Sequence, residues 1–340
     1  MITLRDLEYE LPRERIAQEP VEPRDAARLL ILDRASGALA DRTFRDLAEL
    51  AAPDDLFVVN DTRVLAARLR GTRTSGGRVE LLLLDWRDDA ARWRAFVQMR
   101  GNLRPGVEIQ LAGPGAWCAR IESVNPDGSC ELSLRSDASP EASARELPQL
   151  LGEMPLPPYI EREKPRSADA HDYQTVFAQH PGSVAAPTAG LHFTRELAAR
   201  LRIARITLRV GPGTFRPIRC ENLAEHRLEA EVFEIPDATA RAIAETRARG
   251  GRVIAVGTTV VRALETTGGA AGSGASDLFV QPGHRFRAID ALVTNFHLPR
   301  STLLALVMAF GGVERVRAAY AHALAHGYRF YSYGDAMWVR

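Results

Sequence analysis

Two segments of this chain set a histidine among hydroxyls, an amide and helix-breaking residues: Pro187 to Thr194 (PTAGLHFT) and Thr294 to Ser301 (TNFHLPRS). A neutral imidazole accepts a proton and an imidazolium returns it, so His192 and His297 are candidates for acid–base work. Each segment lies between an apolar run and a helical pattern. Val184 to Ala186 precedes the first, and a helix from near Thr194 follows it; Ala291 to Val293 precedes the second, and Ser301 stands where a helix cap belongs. In open α/β sheets ligands sit beyond the carboxyl ends of strands, where such loops gather. Either histidine alone reads equally well as a structural residue that satisfies a loop carbonyl. The two in matching contexts point to a site.

Three more strand ends carry small polar loops: Asn60-Asp61-Thr62-Arg63, Gly211-Pro212-Gly213-Thr214 and Gly257-Thr258-Thr259. Backbone amides freed at Gly211, at Gly213 and at the helix start after Gly257 can hold a carboxylate or ring nitrogens. The plainer alternatives are a capped helix start at Gly257 and a structural ion pair between Asp61 and Arg63. Tyr328 to Asp335 (YRFYSYGD) interleaves aromatics with a base and an acid. Such rings can stack on nucleobases or cover a sulfonium, or form a closing strand with Tyr331 and Tyr333 on one face and Phe330 and Ser332 on the other. His226, Glu229 and Glu231 lack the spacing of a zinc-binding helix, so no metal is expected. Cys118, Cys130 and Cys220 are too scattered for a disulfide framework or thiolate site and read as buried, inert thiols.

The elements that must position these loops follow from texture. At 340 residues the chain exceeds one ordinary core, so two domains are expected. Apolar residues at 46% and charged residues at 26% mark a globular protein rather than a disordered or membrane one. The Arg- and Glu-studded start is no signal peptide, and the longest apolar run, Leu303 to Phe310, is too short to span a bilayer, which gives a cytoplasmic expectation. Forty-four basic against 43 acidic residues leave a formal charge of +1, so an RNA partner would need a local basic patch. Arg195, Arg200, Arg202, Arg205 and Arg209 are candidates, with a solvated face as the alternative.

Leu29 to Asn60 reads as strand, Ser36-Gly37 turn, short strand, a helix around Arg45 to Ala51 and a buried strand from Leu56. Val64 to Arg70, Val79 to Trp86, Trp93 to Arg100, Val107 to Leu111, Trp117 to Val124 and Cys130 to Arg135 are then closely spaced strands. That texture predicts a small antiparallel barrel inserted into an α/β domain. Helical Ala144 to Leu151 and a proline-broken GEMPLPPYI lead back. Alternating elements follow: strands Val184 to Ala186, Ile206 to Val210, Val232 to Ile235, Val253 to Val256, Leu278 to Val280 and Phe286 to Val293. Helices are expected from Thr194, over Asp237 to Arg249 and Val260 to Thr266, from Ser301, and over Val313 to His326. Gly268 to Ser276 reads as a flexible loop. The fold class is therefore α/β, a discontinuous large α/β domain of residues 1–63 and 152–340 around an inserted small antiparallel β-barrel of residues 64–151.

Taken in order, YELP at Tyr9, RDAARLL at Arg24, NDTRVLAARL at Asn60, GEMPLPPYI at Gly152, YQTVFA at Tyr173 and GSVAAPTAGLHFT at Gly182 form a series. It continues with VGPGTFRPI at Val210, AVGTTVVRALE at Ala255, DLFVQPG at Asp277, DALVTNFHLPRSTLLALV at Asp290 and YRFYSYGDAM at Tyr328. The series closely resembles the S-adenosylmethionine:tRNA ribosyltransferase-isomerase (QueA) family of queuosine biosynthesis. The resemblance implies a discontinuous α/β domain with an inserted barrel, and a transferase that moves and isomerises the ribosyl part of S-adenosylmethionine. The acceptor would be 7-aminomethyl-7-deazaguanine at the wobble position of tRNA, with epoxyqueuosine-tRNA, methionine and adenine as products. It also implies no metal and no bound prosthetic group, S-adenosylmethionine being a co-substrate; a monomer and no membrane partner are expected.

That chemistry needs a base for the acidified 5′ carbon next to the sulfonium and an acid for departing adenine, for which His192, His297 and Asp335 are candidates. Asp61, Arg63, Asn295, Arg300, Tyr331 and Tyr333 could meet the methionine carboxylate, the sulfonium and the incoming base. Thr62, Tyr173, Thr188, Gly190, Gly211, Gly213, Thr214, Gly257, Thr258 and Ser301 complete the expected substrate contacts. Glu229 stands where the family pattern leads one to expect a histidine, and His284 replaces a usual tyrosine. A methyltransferase with Gly211 and Gly213 as its cofactor loop is the competing enzyme reading, and a noncatalytic RNA-binding module built on the barrel is the other.

Overall fold

The computed structural model describes residues 3–87, 92–136, 138, 144–215, 218 and 220–340, the side chains at 214, 215 and 224 excepted. Strands β1 (Arg28–Leu32), β2 (Leu39–Thr43), β3 (Leu56–Asn60) and β4 (Thr62–Val64) open the chain. Next come β5 (Arg68–Arg73), β6 (Arg78–Arg87), β7 (Arg92–Met99), β8 (Glu108–Leu111), β9 (Trp117–Val124) and β10 (Ser129–Ser136). The remainder are β11 (His180–Ser183), β12 (Ile203–Leu208), β13 (Glu231–Ile235), β14 (Val253–Val256), β15 (Gly272–Ser276), β16 (Ala291–Asn295) and β17 (Ala336–Val339).

Runs such as LFVVN, VIAV and ALVTN are apolar at nearly every position because both faces of their strands are covered, as parallel strands require. They form the centre of a nine-stranded sheet ordered β15-β13-β12-β3-β14-β16-β17-β1-β2, in which β12, β3, β14 and β16 run parallel. Alternate residues face opposite ways. Leu56, Val58, Val253, Ala255 and Leu292 pack with helices Thr258–Thr267, Thr302–Gly311 and Val313–Ala325. Phe57, Val59, Ile254, Val256 and Val293 pack instead with Phe44, Phe193 and Leu197 on the other face.

Between β3 and its neighbour β12 the chain leaves the sheet. Strands β5 to β10 alternate buried and exposed positions and close into an antiparallel barrel, ordered β10-β7-β6-β5-β8-β9, around Leu81, Trp93, Ala95 and Trp117. The large unit is therefore discontinuous, as expected. Among the described residues no helix is long and apolar enough to cross a membrane.

Several expected elements differ. Val184 to Ala186 is not a strand; β11 ends at Ser183 and pairs only with β4, in a separate two-stranded ribbon. The expected strand Leu278 to Val280 is absent, and the glycine-rich stretch read as a flexible loop instead supplies edge strand β15. An edge ladder needs only backbone groups, and the bare Cα of Gly274 leaves room for the Phe233 ring, which would lie 3.3 Å from a Cβ there. Phe286 to Val293 narrows to β16, and Val64 to Arg70 splits between β4 and β5. Phe330 to Gly334 turns rather than extends: Tyr331 has φ of 71° and its carbonyl accepts from Gly334 N at 3.0 Å. The closing strand is β17, one step later.

Gly152 lies next to a two-way backbone bridge in which Arg68 N donates to Glu153 O at 3.1 Å and Glu153 N to Arg68 O at 2.8 Å. A Cβ on Gly152 would collide with the carbonyl oxygens of Ala66 and Pro148, both backbone atoms that cannot swing aside. Gly152→Ala is expected to cost at least about 1–3 kcal/mol of stability. An unchanged melting temperature for the purified variant would show that the neck tolerates a side chain.

Candidate active site

The two histidine segments meet through one amide. Asn295, the last residue of β16, is 2% exposed, and its Nδ2 lies 2.9 Å from Nε2 of His192 and donates to the Tyr331 carbonyl at 3.1 Å. Its Oδ1 accepts from the Thr188 hydroxyl at 2.9 Å. A backbone carbonyl can only accept, so the Tyr331 contact fixes which end of the amide is nitrogen. The remaining Nδ2 hydrogen then points at His192, whose Nε2 must be unprotonated. Its surroundings agree: His192 is buried against the Phe44 ring, with centroids 5.0 Å apart. Burial, aided by the positive charges of Arg24 and Arg329, lowers its pKa to about 3.

His297 is reached from the other side of the same amide's strand. Its Nε2 lies 2.7 Å from the Thr294 hydroxyl, its backbone N–H donates to the Tyr320 hydroxyl at 3.0 Å, and its carbonyl accepts from the Tyr9 hydroxyl. Burial lowers its pKa to about 3 as well. His297 lines a cavity of about 250 Å³ together with Thr188, Gly257, Thr258, Asn295, Tyr331 and Tyr159. Two helix N-termini end at its wall: Thr258–Thr267 begins after Gly257, whose φ of 93° suits glycine, and Thr302–Gly311 is capped by Ser301, whose hydroxyl accepts from Leu304 N at 3.1 Å. Tyr331 stacks on Tyr159 with centroids 4.4 Å apart. The buried Tyr331 hydroxyl has no hydrogen-bond partner among the described residues, which is costly unless a ligand supplies one.

Val210 and Leu303 also line a second, larger cleft of about 840 Å³ between the barrel and the large sheet. Gly211, Gly213, Arg209, Trp86 and Arg94 are among its walls. The glycine loop is held by a buried ion pair: Glu231 accepts from Gly211 N at 2.8 Å and pairs with Arg262, which also donates to the carbonyls of Ser276 at 2.9 Å and Leu278 at 3.2 Å.

The other expected site residues divide. Asp335 is buried, but its carboxylate accepts from Arg28 N at 2.9 Å and Arg329 N at 2.7 Å, so it ties β1 to the turn before β17 and does not line either cavity. Asp61 accepts from the Thr207 hydroxyl at 2.6 Å, and its carboxylate lies 3.7 Å from the His180 imidazole rather than pairing with Arg63. Burial raises its pKa. Thr62 bonds Ser183 at 2.6 Å, and exposed Arg63 donates to Ala178 O at 3.1 Å. Arg300 adopts φ of 58° and lies 3.6 Å from Glu8, facing away from the cavity lined by its neighbours Pro299 and Ser301. Tyr173 and Tyr333 pack edge to face, and neither lines that cavity. Gly190 leaves room for Thr175, 3.0 Å from where a Cβ would sit. The Thr214 side chain lies outside the described residues. Sequence reading assigned no site role to Tyr9, Tyr159, Arg262 or Trp86 and weighed Glu231 only as a metal ligand; of these Tyr9, Tyr159 and Arg262 fell inside a quoted motif. Among the described residues no group of three or more His, Cys, Asp or Glu is placed to hold a metal ion.

Residues 4–339 match the family model described as queuosine biosynthesis protein. The chain is 53% identical to the S-adenosylmethionine:tRNA ribosyltransferase-isomerase of Anaeromyxobacter sp. (strain Fw109-5), covering 98% of each chain. It is 50% identical to the protein of that name from Moorella thermoacetica, covering 99% of each. Among solved structures, S-adenosylmethionine tRNA ribosyltransferase from Thermotoga maritima is similar with a TM-score of 0.54 and 34% identity, over 98% of this chain and all of that one.

Both histidines are held neutral, with folded pKa values near 3 against an ordinary 6.5. The unfolded chain therefore binds more protons between these limits, and stability rises with pH across that window. Their contribution is complete above about pH 6.5 and is lost as the pH falls toward 3. Urea titrations over this range are expected to show a flatter acid slope for His192→Gln than for the parent. Equal slopes would mean that His192 protonates freely in the folded protein.

Proposed function

The chain belongs to the queuosine biosynthesis protein family, and on that premise we propose that it is an S-adenosylmethionine:tRNA ribosyltransferase-isomerase. It transfers and isomerises the ribosyl moiety of S-adenosylmethionine onto 7-aminomethyl-7-deazaguanine at the tRNA wobble position, giving epoxyqueuosine-tRNA, L-methionine and adenine. S-adenosylmethionine is a co-substrate, and no metal or prosthetic group takes part. The enzyme acts in the cytoplasm as a monomer, with residues 1–63 and 152–340 as its catalytic unit and 64–151 as the inserted one.

What carries the assignment is a buried, neutral His297 on the wall of a cavity that is also lined by Tyr331 and by two helix N-termini. A sulfonium acidifies its neighbouring 5′ carbon, and only an unprotonated group can take that proton. His297 is the proton acceptor because it lines the cavity, which His192 does not. Burial keeps His297 neutral but weakens it as a base; the donor's methionine carboxylate, entering beside it, is the anion that restores basicity. The proton gained is then available for adenine as it leaves. Tyr159 and Tyr331 offer aromatic surface to the sulfonium, and the helix N-termini offer N–H groups to the carboxylate. His192 positions Asn295, and Asp335 is a structural residue rather than the acid. The modified base enters by the larger cleft, where Trp86 can stack on it.

With S-adenosylmethionine and tRNA carrying the modified base, free adenine and methionine should accumulate. S-adenosylhomocysteine in their place would establish methyl transfer, and tRNA binding without any turnover would establish a noncatalytic RNA-binding protein. His297→Ala is expected to lower turnover by roughly two to four decades with tRNA binding retained. Wild-type turnover in that variant would remove His297 from the reaction.

A further inference from the structure

The barrel has a basic end for which the chemistry above has no use. The β5–β6 turn and the β7–β8 loop meet there, because Thr72 pairs with Arg78, Arg73 with Ile109 and Val79 with Met99. Thr74 N donates to Glu108 O at 3.3 Å, and a Cβ on Gly101 would lie 3.6 Å from the Arg73 guanidinium, so the two connections are direct neighbours. They bring together Arg73, Arg78, Arg100 and Arg104. Arg73 is held over its own turn by a bond to Gly76 O at 3.1 Å, while the other three are exposed. Among the described residues, none of the four is paired with a carboxylate.

The acids nearby are turned elsewhere. Asp127 accepts from Ser129 and stands 3.9 Å from Arg94, and Glu108 lies 3.4 Å from Arg135. Neither connection contains an acid: Thr74-Ser75-Gly76-Gly77 and Gly101-Asn102 add hydroxyls, an amide and bare backbone, and nothing lies within 4 Å of a Cβ placed on Gly76 or Gly106. For a chain whose overall charge is only +1, this is a marked concentration of positive charge. Strand β6 links it to the reaction site, since Arg78 begins the strand and Trp86 near its end lines the large cleft. Eight residues at about 3.3 Å each separate the two by roughly 25 Å. The four guanidiniums therefore suit an extended polyanion long enough to reach the cleft at the same time. Planar guanidiniums with open backbone between them match phosphates, which they can bind in bidentate fashion.

We propose that this end of the barrel is an RNA-backbone docking surface, on which Arg73, Arg78, Arg100 and Arg104 engage phosphates of the tRNA whose modified base occupies the cleft. The inference rests on the ribosyl-transfer reading. Of the arginines at 195–209, Arg200 lies 3.8 Å from Glu49, Arg202 donates to Asp54 O at 3.0 Å, and Arg209 lines the cleft.

The test measures tRNA binding by the full-length protein across a salt series, together with steady-state adenine release. The variant Arg73→Ala/Arg78→Ala/Arg100→Ala/Arg104→Ala is compared with a charge-matched control, Arg42→Ala/Arg241→Ala/Arg285→Ala/Arg287→Ala. The barrel variant should show a salt dependence of log affinity flatter by about one unit for each phosphate it no longer neutralises. Its KM for tRNA should rise at least about tenfold with kcat nearly unchanged. Single Arg78→Ala and Arg100→Ala variants, each less disruptive, should each flatten the slope by about one. A wild-type slope in the barrel variants, or an equal change in the control, overturns the docking surface. Failure of the wild-type protein to release adenine would instead count against the reaction, since the binding slopes are read without turnover.

Discussion

A single buried amide holds the site together. Asn295 spends both hydrogens of its nitrogen and a lone pair of its oxygen on two other segments, the loop that carries Thr188 and His192 and the turn at Tyr331. Buried polar groups left without partners cost about 1–3 kcal/mol each, so removing any one of these bonds is penalised at both ends. The same dryness that makes the network stiff keeps both histidines unprotonated. Geometry and protonation state thus have one cause, the exclusion of water from the end of β16.

The inserted barrel follows from a second constraint. Because β3 and β12 are parallel neighbours, the chain that leaves the carboxyl end of β3 must cross back to the opposite end of the sheet before it enters β12, so the connection is necessarily long. The excursion begins at the carboxyl end of β3, which is where ligands collect in such sheets. The barrel accordingly forms one wall of the larger cleft while the glycine loop after β12 forms another. That loop is fixed by Glu231 and Arg262, a pair whose desolvation is offset by the backbone groups each also engages. Breaking such a pair by removing one partner leaves a bare buried charge, so the wall is rigid.

Much of this could be read in advance. Closely spaced apolar patterns gave five of the six barrel strands to within a residue or two, Trp117 to Val124 matching throughout, as does Val253 to Val256 in the large sheet; Val64 to Arg70 instead falls between β4 and β5. Thr194 and Ser301 cap the helices that follow them, as their types suggest. The pattern failed where backbone pairing, not side-chain burial, made the strand: β15 is mostly glycine, alanine and serine at an exposed edge. It failed again at Val184 to Ala186, whose apolar character reflects burial in a turn.

By itself the sequence determined the α/β class, the inserted barrel, the family and the two loops that bear histidines, because periodicity, caps and motifs are local and survive without a partner. Only the tertiary structure decided which of those residues share a cavity. Asp335, Asp61 and Arg300 carry the right chemistry, but their neighbours, chosen by long-range strand pairing, consume it. Tyr159, Glu231 and Arg262 take their places on the cavity walls from residues far away in the chain. Hydrogen bonding to one partner rather than another is a property of the assembled interior, where water no longer competes, and no short window of sequence contains it.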